Sequence, residues 1–124
     1  MTIRDARADD LAAVVEIYNA SIPGRRATAD LEAVDVGQRR AWFARHDARR
    51  PLWIAEQSGA VAGWLSFEEF YGRPAYDRTA EISIYIHPDH QGQGVGRELL
   101  RAAIDRAAVV EPLSLERTMR EGGA

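Results

Sequence analysis

Glycines at positions 92, 94 and 96, in the stretch "IHPDHQGQGVGRELL" (86–100), stand between an apolar strand-like run and a helix-like run. Glycine at every second position leaves a stretch of backbone with no Cβ cover, so another group can approach its N–H groups closely. At the start of a helix those N–H groups lack intrahelical partners and the helix dipole is positive, so an anion such as a diphosphate is favoured there. A glycine-rich turn that serves only a tight connection is the other reading. Upstream, Glu81 shares one strand face with Ser83 and Tyr85, where a carboxylate can take a proton or simply face solvent. Arg73 and Tyr76 lie in an aromatic-rich segment that also holds Phe70 and Tyr71. The arginine could grip a carboxylate in bidentate fashion, with the aromatics shaping a pocket or merely packing. His87 and His90 flank Pro88, but only Asp89 offers a third ligand, so they are read as turn residues and no metal is expected. Ser83 has no evident oriented base and is set aside as a nucleophile.

Bulk properties narrow the classes. The chain has 124 residues, 46% of them hydrophobic, enough for one small globular domain with a core. Sixteen basic residues against 19 acidic ones give a formal charge of −3, which argues against a dedicated nucleic-acid binder. The absence of cysteine excludes a disulfide framework, a thiolate metal site and a cysteine nucleophile. "MTIRDARADD" lacks a signal-peptide apolar region, and no run reaches the roughly 18 apolar residues of a membrane span. A cytoplasmic protein without membrane or nucleic-acid partners is the expectation.

The elements that must position these residues follow from periodicity. "TIRDA" (2–6) reads as a short edge strand. Asp9 is a candidate N-cap for a helix whose stripe is Leu11, Val14, Val15, Tyr18 and Ile22, stopped by Pro23-Gly24. A polar segment, "RRATADLEAVDV", reads as loop, and a second helix is expected from Asp35 to Arg49. "LWIAEQ" and "AVAGWLSF" flank Ser58-Gly59 as a hairpin, with 68–78 a loop or strand extension. Trp42, Trp53 and Trp64 are assigned to the core. "TAEISIYIHP" alternates strictly, with Ile82, Ile84 and Ile86 on the face opposite Glu81. After the glycines, Leu99, Leu100, Ala103, Ile104 and Ala107 keep helical spacing. The tail could form a short strand at "PLSL", confined to an edge by Pro112, or equally a frayed helix.

Two familiar phosphate motifs fail. Arg97-Glu98 stands where a Walker loop needs Lys-Ser/Thr, and Arg97 occupies the third glycine position of a dinucleotide fingerprint. Gln91-x-x-Gly94-x-Gly96 after a strand does resemble the acetyl-CoA signature [RQ]-x-x-G-x-[GA] of the GNAT N-acetyltransferase superfamily. "IYNASI", "AGWLSF" and "AYDRTAEISIYIHPDHQGQGVGRELL" are similar to its phosphinothricin and methionine sulfoximine acetyltransferase branch. The resemblance implies an α/β fold, a mixed sheet flanked by helices. It implies acetyl-CoA as co-substrate, with pantetheine on the backbone of Ile84, Tyr85 and Ile86. The pyrophosphate would lie on Gln91, Gly92, Gln93, Gly94, Val95, Gly96 and Arg97. Glu81 would be the general base, and Arg73 and Tyr76 would bind a small amino-acid-like amine that attacks the thioester directly.

The resemblance runs from about Ile3 to about Ala107, so residues 1–108 are expected to be the N-terminal and central part of a GNAT domain and 109–124 a divergent tail. The family continues with further strands, an Asn/Ser helix and a Gly-Phe hairpin, and none of those motifs occurs before Ala124. The C-terminal strands of the fold are therefore expected to be missing, leaving the fourth strand an open apolar edge. A homodimer or larger assembly would cover it, with the tail the weaker cover. The alternative function is a non-catalytic acyl-CoA-binding or assembly fragment.

Overall fold

The computed structural model describes residues 1–22, 35–69, 79–109 and 114–119. Five strands form one sheet in chain order: β1 (Thr2–Asp5), β2 (Leu52–Gln57), β3 (Ala60–Glu69), β4 (Thr79–Ile86) and β5 (Ser114–Met119). The first four pair antiparallel, whereas β5 pairs parallel with β4. Helices α1 (Leu11–Ser21) and α2 (Val36–Ala44) pack on one face and α3 (Val95–Val109) on the other.

Alternation along the strands sorts two cores. Leu65 and Phe67 of β3 and Ile82, Ile84 and Ile86 of β4 meet Val95, Leu99 and Ala103 of α3. Leu52, Ile54, Trp64 and Tyr85 meet Leu11, Val14, Val15, Ile17 and Trp42 on the other side. Trp64 anchors α1 by donating its Nε1–H to the Val14 carbonyl at 3.1 Å, and it stacks on Tyr85 with centroids 4.7 Å apart. Trp42 meets Trp64 edge-on at 5.5 Å, and Trp53 meets Phe67 edge-on at 5.0 Å. All three tryptophans thus contribute to packing. The β2–β3 hairpin turns at Ser58 and Gly59, both at positive φ (56° and 79°), a conformation that matches the twist of the flanking strands.

Several boundaries depart from the sequence expectations. Asp9 is not the cap of α1, because a 3-10 turn over Ala8–Asp10 precedes it and Asp10 turns back towards β1. Ile17, absent from the expected stripe, is fully buried, while Ile104 of α3 is 51% exposed. Helix α2 is shorter than expected. Asp35 caps its start, the Asp35 carboxylate accepting from the Gln38 N–H at 2.7 Å and the Gln38 amide oxygen from the Asp35 N–H at 2.8 Å. After Ala44 the Asp47 carboxylate accepts from the N–H groups of Arg49 and Arg50, both at 2.9 Å, and holds a turn instead of more helix. The Pro23-Gly24 stop and the 25–34 and 70–78 loops lie outside the described residues.

Of the two readings of the tail, a strand or a frayed helix, the strand is the one that forms. Ser114–Met119 is a strand, and it covers β4 from Thr79 to Ile84. The sheet thus has a fifth strand, and it lies along the edge of β4 that was expected to be open. Pro112, which lies outside the described residues, precedes this strand and so removes no donor from its ladder.

Asp10 fastens β1 to the start of α1. Its carboxylate accepts from Arg4 at 2.7 and 2.9 Å and from the Arg7 N–H at 2.7 Å, and Arg4 also pairs with Glu56 of β2. The hydrogen bond from Arg4 holds the Asp10 carboxyl below its ordinary value of 3.8, against burial, which pushes it up. A depressed carboxyl favours the folded state above the unfolded pKa, and that contribution fades as pH falls through the folded value. Asp10→Asn should lower unfolding free energy by about 2 kcal/mol at pH 7, with the difference from the parent shrinking in acid. Urea titrations at pH 7 and at acid pH measure both.

Candidate active site

The turn between β4 and α3 combines strand end, glycines and helix start. Gly92 and Gly94 have φ of 75° and 83°, and a Cβ built on either would meet no atom within 4 Å. Their lack of side chain therefore answers a backbone demand and leaves open space beside the chain. Gly96 differs: it is buried in the first turn of α3, outside the left-handed region. The first bond into α3 runs from the Glu98 N–H to the Gly94 carbonyl at 3.0 Å. The N–H groups of Val95, Gly96 and Arg97 precede it at the helix's positive end.

A cleft of about 440 Å³ opens here, lined by Ile86, His90, Gln91, Gly92, Gly94, Val95, Gly96, Arg97 and Leu100. Two buried side-chain nitrogens at this cleft, Gln91 Nε2 and His90 Nδ1, have no hydrogen-bond partner. Buried polar groups are normally satisfied, so an orphan amide donor at an anion-favouring helix start fits a phosphate-bearing ligand. Arg97, exposed at the rim, adds a guanidinium. Gln93 is exposed within the same turn.

Ladder geometry decides which β4 backbone groups are available. His87 donates its N–H to the Ala62 carbonyl at 2.8 Å. In an antiparallel pair bonding alternates, so His87, Tyr85, Ser83 and Glu81 turn their backbone groups towards β3, and Ile82, Ile84 and Ile86 turn theirs the other way. The β4–β5 register ends at Ile84 opposite Met119. Ile86 lies beyond it, facing the cleft with outward-turned backbone groups. Tyr85 drops out of the expected backbone contacts, because its groups face β3 and its ring stacks on Trp64. Gly63, opposite Ile86, allows this close approach, since a Cβ there would sit 2.8 Å from the Tyr85 carbonyl oxygen.

On the α1–α2 face, Glu81 is half-buried and directly opposite Glu68 of β3, and Ser83 is opposite Ser66. Glu68 accepts from Trp42 Nε1–H at 3.2 Å and contacts Ser66 Oγ at 3.3 Å, and Ser66 Oγ lies 2.7 Å from His46 Nε2. The sequence reading missed this cluster, because no local spacing connects positions 42, 46, 66 and 68. The alternation that placed Glu81 on the polar face would have placed Glu68 beside it once the hairpin register was known.

Arg73 and Tyr76, expected to bind substrate, lie outside the described residues. His87 and His90 stand edge-on with ring centroids 5.7 Å apart, and His87 Nδ1 accepts from the Asp89 N–H at 3.0 Å. Among the described residues no three His, Cys, Asp or Glu side chains group as metal ligands, and no helix is long and apolar enough to cross a membrane.

Comparison with known proteins agrees with this arrangement. YwnH of Bacillus subtilis (strain 168), whose name gives phosphinothricin acetyltransferase as a provisional activity, is 53% identical over 105 residues, covering 84% of this chain and 64% of that protein. The L-methionine sulfoximine/L-methionine sulfone acetyltransferase of Salmonella typhimurium is 41% identical, over 86% of this chain and 63% of its own length. This chain thus spans slightly under two thirds of these relatives. The crystal structure of a GNAT superfamily phosphinothricin acetyltransferase from Sinorhizobium meliloti, in complex with acetyl-CoA, superposes with a TM-score of 0.80 at 32% identity, over 88% of this chain and 60% of that one. Residues 11–116 match the family model for the acetyltransferase (GNAT) family, and the chain belongs to that family.

Proposed function

We propose that the protein transfers an acetyl group from acetyl-CoA to the amine of a small amino-acid-like substrate. The observation that carries this is the cleft joining the outward-facing edge of Ile86 to the start of α3, with the unpartnered Gln91 amide at it. The Gly92–Arg97 turn would hold the diphosphate through backbone N–H groups, with Gln91 and Arg97 adding donors. Ile86 would receive a pantetheine amide at the point where β4 outruns β5, whereas the outward groups of Ile84 lie in the ladder with β5. Bound there, acetyl-CoA supplies an activated acyl carbon. Glu81 would take the proton that an attacking ammonium must lose, and an N–H at the end of β4 would polarise the acyl carbonyl. The named activities of the relatives, on phosphinothricin and on methionine sulfoximine and sulfone, point to amino-acid analogues as the amine. Arg73 is proposed to meet the substrate carboxylate.

Calorimetry with acetyl-CoA, beside an assay of CoA thiol release with methionine sulfone as acceptor, tests the reading. Binding with turnover supports it. Binding without turnover favours a non-catalytic acyl-CoA-binding role, and no binding removes both.

Gly94→Asp should abolish acetyl-CoA binding with the fold retained, because its carboxylate would repel the diphosphate. Asparagine tolerates the same left-handed backbone without charge, so Gly94→Asn should bind at least about tenfold more tightly than Gly94→Asp. Equal affinities for the two would reject the phosphate assignment.

Glu81→Gln should slow turnover by about 10²-fold or more at neutral pH. The deficit should narrow in alkali, where the amine is already largely neutral. A parallel loss across the whole rate–pH profile would instead give Glu81 a positioning role.

A further inference from the structure

A partly buried hydrogen-bonded chain leads away from the Glu81–Glu68 pair, and the acetyltransferase reading alone makes no use of it. His46 follows the end of α2, with Nδ1 3.1 Å from the Trp42 carbonyl oxygen and Nε2 2.7 Å from Ser66 Oγ. Ser66 is fully buried on β3, and its Oγ lies 3.3 Å from Glu68 Oε2. The other Glu68 oxygen accepts from Trp42 Nε1–H, so Trp42 fixes both ends of the chain.

Counting protons gives two arrangements in which every contact of the chain is a hydrogen bond. A carbonyl oxygen only accepts, so His46 Nδ1 carries a hydrogen. If the imidazole is neutral, Nε2 takes the single Ser66 proton, and Ser66 Oγ is free only to accept from a protonated Glu68. If the ring is an imidazolium, Nε2–H donates to Ser66 Oγ, and Ser66 donates to an ionised Glu68. The arrangements differ by one proton moved from Glu68 to His46. In that move the Glu68 O–H breaks as a new Ser66 O–H forms, and the old Ser66 O–H breaks as His46 N–H forms. The serine ends as it began.

Both termini suit the task. Like carboxylates directly opposite on a sheet face are unfavourable, and a cationic amine between Glu68 and Glu81 relieves them. At the far end His46 lines two clefts. One, of about 360 Å³, also includes Asp5, Asp47 and Arg106, and the other, of about 460 Å³, includes Arg45, Asp47, Arg50 and Glu68. His46 therefore stands at the cleft end of the chain.

We propose that Glu68, Ser66 and His46 form a proton relay that drains the Glu81–Glu68 pair during acetyl transfer. The proposal rests on the acetyltransferase reading. The ammonium N–H breaks, its proton is taken by the carboxylate pair, and it passes from Glu68 Oε2 through Ser66 Oγ to His46 Nε2, where the imidazolium holds it. The amine is left neutral, ready to attack. Burial holds the His46 imidazole below its ordinary 6.5, while Glu68 pulls it up and Arg45 pulls it down. Near neutral pH it is therefore free to accept, and in acid it is already charged and the relay is blocked.

Histidine-ring NMR of the 124-residue chain tests the coupling without turnover, with the His46 signals assigned by their loss in His46→Gln. Glu68→Gln should lower the His46 midpoint by about one pH unit, and in a Ser66→Ala background by less than half as much. Equal shifts in both backgrounds mean through-space attraction alone and overturn the relay. In the methionine sulfone assay, Ser66→Ala should lower kcat about tenfold at pH 7 with KM unchanged, the loss closing in alkali. A loss of kcat that is the same at every pH is a packing defect and also overturns it. Failure of the parent chain to bind acetyl-CoA would count against the acetyltransferase reading, and the ring titrations would still decide the relay.

Discussion

The register between β3 and β4 is the constraint on which the rest of the molecule depends. One alternation sends Ile82, Ile84 and Ile86 towards α3, sets Tyr85 on Trp64, and brings Glu81 opposite Glu68. The same alternation turns the backbone of Ile86 away from β3. A slip of one residue would exchange all of these at once. Gly63 helps to fix the register, because any side chain there would strike the Tyr85 carbonyl.

With the register set, the sheet separates two kinds of charge chemistry. Around the end of β4 and the start of α3 the available groups are donors: helix-start N–H groups, the Gln91 amide and the Arg97 guanidinium. On the α1–α2 face they are acceptors, the carboxylates of Glu68 and Glu81. An anionic donor molecule and a cationic amine are thereby favoured in different places, and each would be disfavoured in the other's. In the proposed reaction β4 is the element common to both.

What could be read in the sequence was what depends on neighbours along the chain. The strict alternation of 79–86, the Ser58-Gly59 hairpin and the glycines after Pro88 each act within a few residues, and each stands where expected. What could not be read depends on groups far apart. Asp10 binds Arg4 across a turn instead of capping α1, and Arg4 reaches on to Glu56. His46 meets Ser66 only because α2 ends over β3, and α2 ends early because Asp47 captures the following N–H groups. The tail gave no clear period, and "SLERTM" is a strand because β4 offers it a ladder. Among the candidate site residues, the glycine turn was legible as an open junction between strand and helix. Glu68 was hidden in a run of two glutamates with no spacing signal.

The parallel pairing of β5 has a consequence for the order of assembly. The β2–β3 and β3–β4 ladders join strands that follow one another in the chain, whereas β5 reaches β4 only after the whole of α3 has been made. Contacts between distant segments form late, because the loop between them must close first. Until then the N–H and C=O groups of Ile82 and Ile84 face outward beside an apolar surface that α3 does not yet cover. A chain emerging from synthesis therefore passes through a stage in which its most strand-like segment is an unpaired edge, and association with other chains competes there with completion of its own sheet.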